Sequence, residues 1–287
     1  MFVSVAIAAV AAFGGPGTVS EWRRQCAGKE NEWSAPAPPL QIFGNVYDVG
    51  TCGITALLIT SKNGHVLLDA ATAEAAPSIA ANIERLGFKL RDVKLIGGSH
   101  EHLDHVGGIA ELQRLTGATV MALPAAFNTF ETGVVDRRDP QSGLHKPFPP
   151  AKVGRLLRDG IIVGPSPLRL TAHATPGHSP GSTTWTWRSC EAGRCINVVY
   201  ADSLTAVSSD SYRFRDHPRY LADFRSSIRK IAALPCDLLI TPHPLASKLI
   251  ERLSGESPLI GPGQCRGYAR RGRIGLDDRI DKESASS

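Results

Sequence analysis

Two groups of short runs rich in β-branched residues, one in each half of the chain and each interspersed with amphipathic helical segments, predict an α/β protein. The arrangement that buries both groups is a four-layer αββα sandwich, with two sheets face to face and helices outside. The 287 residues show no shift of composition that would mark a linker, so residues 18–287 are expected to form a single domain. With 42% apolar and 21% charged residues, that domain can bury a sizeable core.

Taken in order, residues 1–13 form an apolar Ala/Val run followed by Gly14, Gly15 and Pro16, which reads as the apolar part of an export signal. The run is too short to span a bilayer and lacks the basic residues that usually precede such a signal. Residues 1–17 are therefore set apart as a signal peptide, and a periplasmic protein without stable membrane association is expected. Residues 40–49, 53–60 and 65–68 look like an antiparallel meander punctuated by Gly50, Asn63 and Gly64. Residues 73–86 place Ala76, Ile79, Ala80, Ile83 and Leu86 at helical spacing and stop at Gly87. A buried strand (93–97), a polar loop (99–105) and a helix (108–115) stopped by Gly117 follow. Residues 131–152, rich in Pro, Gly and charge, read as a long mobile loop. Strands are expected at 168–172, 182–187, 196–200 and 238–241, with a helix at 218–234.

The formal charge of +5 does not point to nucleic acid, because the basic residues are dispersed except for Arg266, Arg270, Arg271 and Arg273. Those four fit one solvated helix face with no aromatic residues interleaved to stack bases. The partner expected is a small molecule, bound by a monomer. Six cysteines in a chain with an export-like start argue for three disulfides, of which fifteen pairings are possible. Cys190 and Cys195 flank a turn-like insert between two strand-like runs, which suits a bridge across a hairpin end. No CxxC pair is present to suggest a zinc ribbon.

The densest chemical signal is Ser99-His100-Glu101-His102-Leu103-Asp104-His105. No core needs four such side chains in six residues. In a loop, His100, His102 and Asp104 can converge on one side while His105 turns with Asp104 toward a second ion. Two more histidines, His178 and His243, lie in the stiff contexts Thr-Pro-Gly-His and Thr-Pro-His-Pro, each after an expected strand. Five histidines and one aspartate offer only N and O donors, as zinc sites that also hold water do.

His-x-His-x-Asp-His followed by Gly-His and Pro-His-Pro resembles the metallo-β-lactamase superfamily from about Gln41 to Tyr268. The contexts Ser-His-Glu-His-Leu-Asp-His-Val-Gly-Gly, Thr-Pro-Gly-His-Ser-Pro-Gly-Ser-Thr-Thr-Trp-Thr-Trp, Tyr-Ala-Asp-Ser-Leu-Thr-Ala and Thr-Pro-His-Pro are similar to subclass B3. The resemblance implies two Zn2+ per chain, the first on His100, His102 and His178, the second on Asp104, His105 and His243. It implies a β-lactamase that opens the amide of penicillins, cephalosporins and carbapenems with a zinc-bound hydroxide, which Asp104 orients. It also implies that Ser203 and Thr205 hold the substrate carboxylate, and that Cys26 pairs with Cys52 and Cys236 with Cys265. Gln141, on the long loop, is a further candidate substrate contact, and His145 beside it is explained equally well by loop polarity.

Thioester hydrolases and lactonases of the same fold carry a metal-bridging aspartate near this point, and Asp202 adjoins Ser203. Since neighbouring side chains on a strand face opposite ways, Ser203 toward the site is expected to put Asp202 away from it. Glu101 is expected to turn from the metals and brace a ligand. Ser227-Ile228-Arg229-Lys230 satisfies S-x-x-K but falls inside an expected helix without the partner motifs of a serine enzyme. His65, His173 and His217 are expected to be ordinary solvated or hydrogen-bonded residues. A zinc-binding protein without catalysis would need an incomplete ligand set.

Overall fold

A computed structural model describes residues 14–285, so the expected export signal lies, over residues 1–13, outside the described residues. The strands of the first half form one seven-stranded sheet in chain order: β1 (Leu40–Phe43), β2 (Val46–Asp48), β3 (Leu57–Ile59), β4 (His65–Leu68), β5 (Val93–Gly97), β6 (Thr119–Ala122) and β7 (Val153–Leu156). The second sheet holds β8 (Ile161–Val163), β9 (Leu170–Ala174), β10 (Thr183–Glu191), β11 (Arg194–Tyr200) and β12 (Leu238–Ile240), in the spatial order β12-β11-β10-β9-β8. Eight helices accompany them among the described residues: α1 (Val19–Cys26), α2 (Ala76–Arg85), α3 (Leu103–Val106), α4 (Ile109–Thr116), α5 (Phe127–Thr132), α6 (Pro218–Ala233), α7 (Leu249–Leu253) and α8 (Gln264–Ala285).

The four layers follow from the alternation of side chains along the strands. Leu58, Leu67, Ile96 and Val120 pack with Ile79 and Ile83 of α2 and Leu112 of α4, on the outer face of the first sheet. Their neighbours Leu57, Ile59, Val66, Leu68 and Met121 point inward, against Leu170, Trp185, Val198, Tyr200 and Ile240 of the second sheet. Val199 and Leu239 face outward again, onto Phe224, Ile228 and Ile231 of α6 and Tyr268, Ala269 and Leu276 of α8. Trp185 bridges the inner layers: its Nε1 donates to the Gly98 carbonyl at 3.0 Å, and a Cβ on Gly97 would lie 2.9 Å from its ring.

Strand direction places the functional loops. Pairs β4·β5 and β11·β12 are parallel, and β9 runs with β11 because both are antiparallel to β10. The segments that follow β4, β5, β9, β11 and β12 therefore leave from carboxyl ends, the place where open α/β sheets bind ligands. All three expected disulfides form: Cys26–Cys52, Cys190–Cys195 across the β10–β11 hairpin, and Cys236–Cys265. No helix among the described residues is long and apolar enough to cross a membrane.

Several expectations are corrected. Residues 103–106 are a turn of helix rather than loop, and α1, α5, β6, β7 and β8 were not expected at all. Of these, β7 and β8 are short edge strands whose outward residues Leu156 and Ile162 are exposed, so no burial pattern marks them. The loop over 131–152 is not free along its length: Asp139, Pro140 and Gln141 are buried, and the Pro140 carbonyl accepts from Ser209 N at 2.8 Å.

Asp48, at the end of β2, is buried, and its Oδ1 accepts from Gly50 N and Ala56 N at 2.9 and 3.2 Å. Burial outweighs these two donors and pushes the carboxyl up to about 7. The folded state thus binds this proton more tightly than the unfolded chain does, so the stabilisation is complete below about pH 4 and is lost as pH rises through about 7. Asp48→Asn keeps the acceptor without the charge, and its melting temperature is expected to exceed that of the parent at pH 8.5, with a smaller gap at pH 5.5. Thermal melts at the two pH values check this, and an equal gap at both would contradict it.

Candidate metal centre

All six expected ligands meet at the carboxyl ends of the strands. His100 and His102 leave the loop after β5, Asp104 and His105 lie on α3, His178 follows β9 and His243 follows β12. The donor atoms of His100, His102 and His178 lie within 4.8 Å of one another, as do those of His100, Asp104 and His105. His243 Nε2 lies 3.2 Å from His105 Nε2 and 3.5 Å from Asp104 Oδ2, which places it with the second group.

Four of the five histidines are fixed by a hydrogen bond on the ring nitrogen away from the cluster. His100 Nδ1 pairs with Asp202 Oδ1 at 2.8 Å, and His102 Nε2 with Asp139 Oδ2 at 2.9 Å. His105 Nδ1 pairs with Asp69 Oδ2 at 3.1 Å, and His178 Nδ1 with the Thr205 carbonyl at 2.9 Å. Each bond leaves the other nitrogen available inside the cluster, the arrangement by which proteins orient metal-binding imidazoles. This donor chemistry, buried nitrogens and one carboxylate with no competing cation, fits a metal ion.

The electrostatics of three of the rings agree. Burial, together with the neighbouring imidazoles, holds His100 well below its usual pKa and lowers His178 to about 3. Burial likewise lowers His243 to about 4. These rings are neutral at physiological pH, as ligation requires. Burial opposes charge on His105, but Asp104 and Asp69 outweigh it and raise the ring to about 10. Against the opposing effect of burial, His105 and His243 hold the Asp104 carboxyl far below the usual range.

Above the cluster opens a cleft of about 780 Å³, whose lining includes Gln141, His145, Ser203 and Thr205. Gln141 Nε2 lies 3.2 Å from His178 Nε2 and its Oε1 3.1 Å from His145 Nε2, so both loop residues border the site. Ser203 lines the cleft and Asp202 turns from the donor cluster, as expected, but strand alternation is not the reason: the chain at 201–209 is irregular, and Asp202 is held behind the site on His100 Nδ1. Glu101 turns from the cluster and joins two loops: Ser179 Oγ donates to its Oε2, and Gly181 N donates to its Oε1 at 2.7 Å. Burial and then Asp139 push the Glu101 carboxyl up to about 7.

Comparison with known proteins decides the family. A profile of the metallo-beta-lactamase superfamily matches residues 49–243, more than half of the chain. The chain belongs to the metallo-β-lactamase superfamily. Within it the chain falls in subclass B3: the metallo-β-lactamase MIM-1 from Novosphingobium pentaromativorans is 47% identical, with a TM-score of 0.91 over 93% of this chain and 99% of that one. MEM-A1, a subclass B3 metallo-β-lactamase from a soil metagenome library, is 43% identical, with a TM-score of 0.86 over 89% of this chain and all of that one. A hydroxyacylglutathione hydrolase from Cereibacter sphaeroides (strain ATCC 17025 / ATH 2.4.3) is 29% identical over 174 residues, 58% of this chain. That match spans only about half the length of the hydrolase (52%).

Within this superfamily scaffold, two of the carboxylates behind the ligands, Asp139 and Asp69, were not expected from the sequence. Asp139 sits in a loop without periodicity, and nothing in the sequence marks it. Asp69 carries a faint signal, as a charged residue directly after the wholly apolar Val66-Leu67-Leu68 of β4. It is fully buried at φ 65° and accepts from Ser99 N, Ser99 Oγ, Tyr200 Oη and His105 Nδ1. The S-x-x-K serine is also structural: Ser227 Oγ, inside α6, donates to the Pro176 carbonyl at 2.7 Å and steadies the turn that carries His178. Asp69→Ala would strand those donors in the interior and put alanine at positive φ, so unfolding free energy is expected to fall by about 3 kcal/mol or more. Urea denaturation checks this; a loss below about 1 kcal/mol would contradict the assigned role.

Proposed function

We propose that this chain is an exported β-lactamase that binds two zinc ions and hydrolyses the amide bond of penicillins, cephalosporins and carbapenems. The observation that carries the reading is the meeting of six N and O donors at the floor of a cleft, in a chain 47% identical to a metallo-β-lactamase. In this reading His100, His102 and His178 hold the first ion, and Asp104, His105 and His243 hold the second. Bound zinc supplies Lewis acidity, lowering the pKa of water from near 16 to roughly 7 and polarising a carbonyl oxygen.

The chain's own residues do the rest. Asp104 accepts a hydrogen bond from the attacking water and orients it toward the lactam carbonyl. Asp202, Asp139, Asp69 and the Thr205 carbonyl hold the imidazoles in one tautomer and one orientation, so the site needs no rearrangement as charge develops. Ser203 and Thr205 receive the substrate carboxylate on one wall of the cleft, and Gln141 contacts the substrate from another. Asp202 is engaged on the Nδ1 side of His100, which supports the β-lactamase reading over that of a thioester hydrolase or lactonase, where an aspartate here would bridge the metals.

A chelator is expected to abolish turnover of nitrocefin and imipenem, and added zinc to restore it. His178→Ala and His243→Ala should each lower zinc from two to one per chain and cut kcat/KM by at least about 100-fold, the upper end of what losing only a partner behind a metal ligand costs. Steady-state kinetics with elemental analysis test this, and a zinc-loaded protein inert on every β-lactam would sink the proposal.

A further inference from the structure

One wall of the cleft is α8, which turns Tyr268, Arg271, Gly272 and Gly275 toward it. Their spacing puts all four on one helix face. Glycine weakens a helix, so two glycines on this face have a spatial reason. A Cβ on Gly272 would lie 2.6 Å from Leu204 Cβ, and Gly275 faces open space, so the helix carries no side chain at position 275 on the face that bears Arg271.

Arg271 is the only Lys or Arg among the described residues that line the cleft. Its Nη2 donates to the Ala246 carbonyl at 3.2 Å, and its guanidinium lies 5.8 Å from the centre of the Tyr268 ring. On the same helix, Arg273 and Arg279 pair with Asp277 and Glu283, whereas no carboxylate among the described residues pairs with Arg271. The Tyr268 hydroxyl accepts from Leu204 N at 3.2 Å and donates to the Asp202 carbonyl at 3.0 Å, thereby holding both neighbours of Ser203. An exposed guanidinium with most of its donors free therefore stands over the residue that fixes the Ser203 turn.

We infer that Arg271 is a specificity-determining residue that binds the carboxylate of the substrate beside Ser203 and Thr205, selecting substrates that carry this anion. The inference rests on the β-lactamase reading. A planar fork of donors suits a carboxylate, and on an open wall it acts on binding rather than on the bond that breaks.

The test uses zinc-loaded parent, Arg271→Met, Arg271→Lys and, as a surface control, Arg270→Met. Each is assayed on one β-lactam with its carboxylate free and as the neutral methyl ester, at low and high salt. Arg271→Met is expected to raise KM for the free acid about tenfold with kcat, zinc content and melting temperature unchanged. The ester should not distinguish it from the parent, and Arg271→Lys should recover part of the loss. The decline of parent kcat/KM with salt should flatten in Arg271→Met and persist in Arg270→Met. An unchanged KM, or an equal rise for acid and ester, overturns the role of Arg271 while leaving the β-lactamase reading in place. A parent that turns over no β-lactam overturns both.

Discussion

Five imidazoles and a carboxylate are held together here largely away from water, and the rest of the site depends on making that crowding stable. Unsupported, such a cluster would pull in protons and push its rings apart. Burial keeps His100, His178 and His243 neutral, and a hydrogen bond on the far nitrogen of four rings removes the freedom to swing away. The precision of the cluster therefore resides in the residues behind it. Aspartates 69, 139 and 202 come from three separate segments, so the geometry of each ring reports the packing of a different part of the fold.

The sheets supply that packing. Because β4 and β5 are parallel, and β11 and β12 likewise, four chain segments emerge side by side at one rim. Asp69 is the junction: it takes the Ser99 amide and hydroxyl from the segment after β5, the Tyr200 hydroxyl from β11, and the ring of His105. A single buried carboxylate thus ties the first sheet to the second at the level of the metal centre. Trp185 repeats the connection one layer deeper, reaching from β10 to the Gly98 carbonyl.

The walls of the cleft follow a different logic. The segment after β11 is irregular, and it is held from outside by Tyr268 of α8 and from across the cleft by the bond between Ser209 N and the Pro140 carbonyl. Thr205 in this segment both lines the cleft and fixes His178, so substrate wall and metal floor are parts of one hydrogen-bonded unit.

The layer arrangement was legible in the sequence because apolar β-branched runs and helical spacing are local consequences of burial, clear in the runs of β3 and β4 and in the spacing of α2 and α6. The candidate donor cluster was legible because four N and O donors within residues 100–105, joined by His178 and His243 in stiff Pro/Gly contexts, have no other structural reason to exist. Edge strands such as β7 and β8 were not, since half-exposed residues carry no period. Nor were Asp69 and Asp139: a lone aspartate next to a strand or in a loop looks the same whether it meets solvent or an imidazole. By itself the sequence picked out the six side chains that come together in the cluster. Only the tertiary structure decided which carboxylates stand behind them, because those pairs join residues as many as 102 positions apart and exist only once the two sheets have closed on each other.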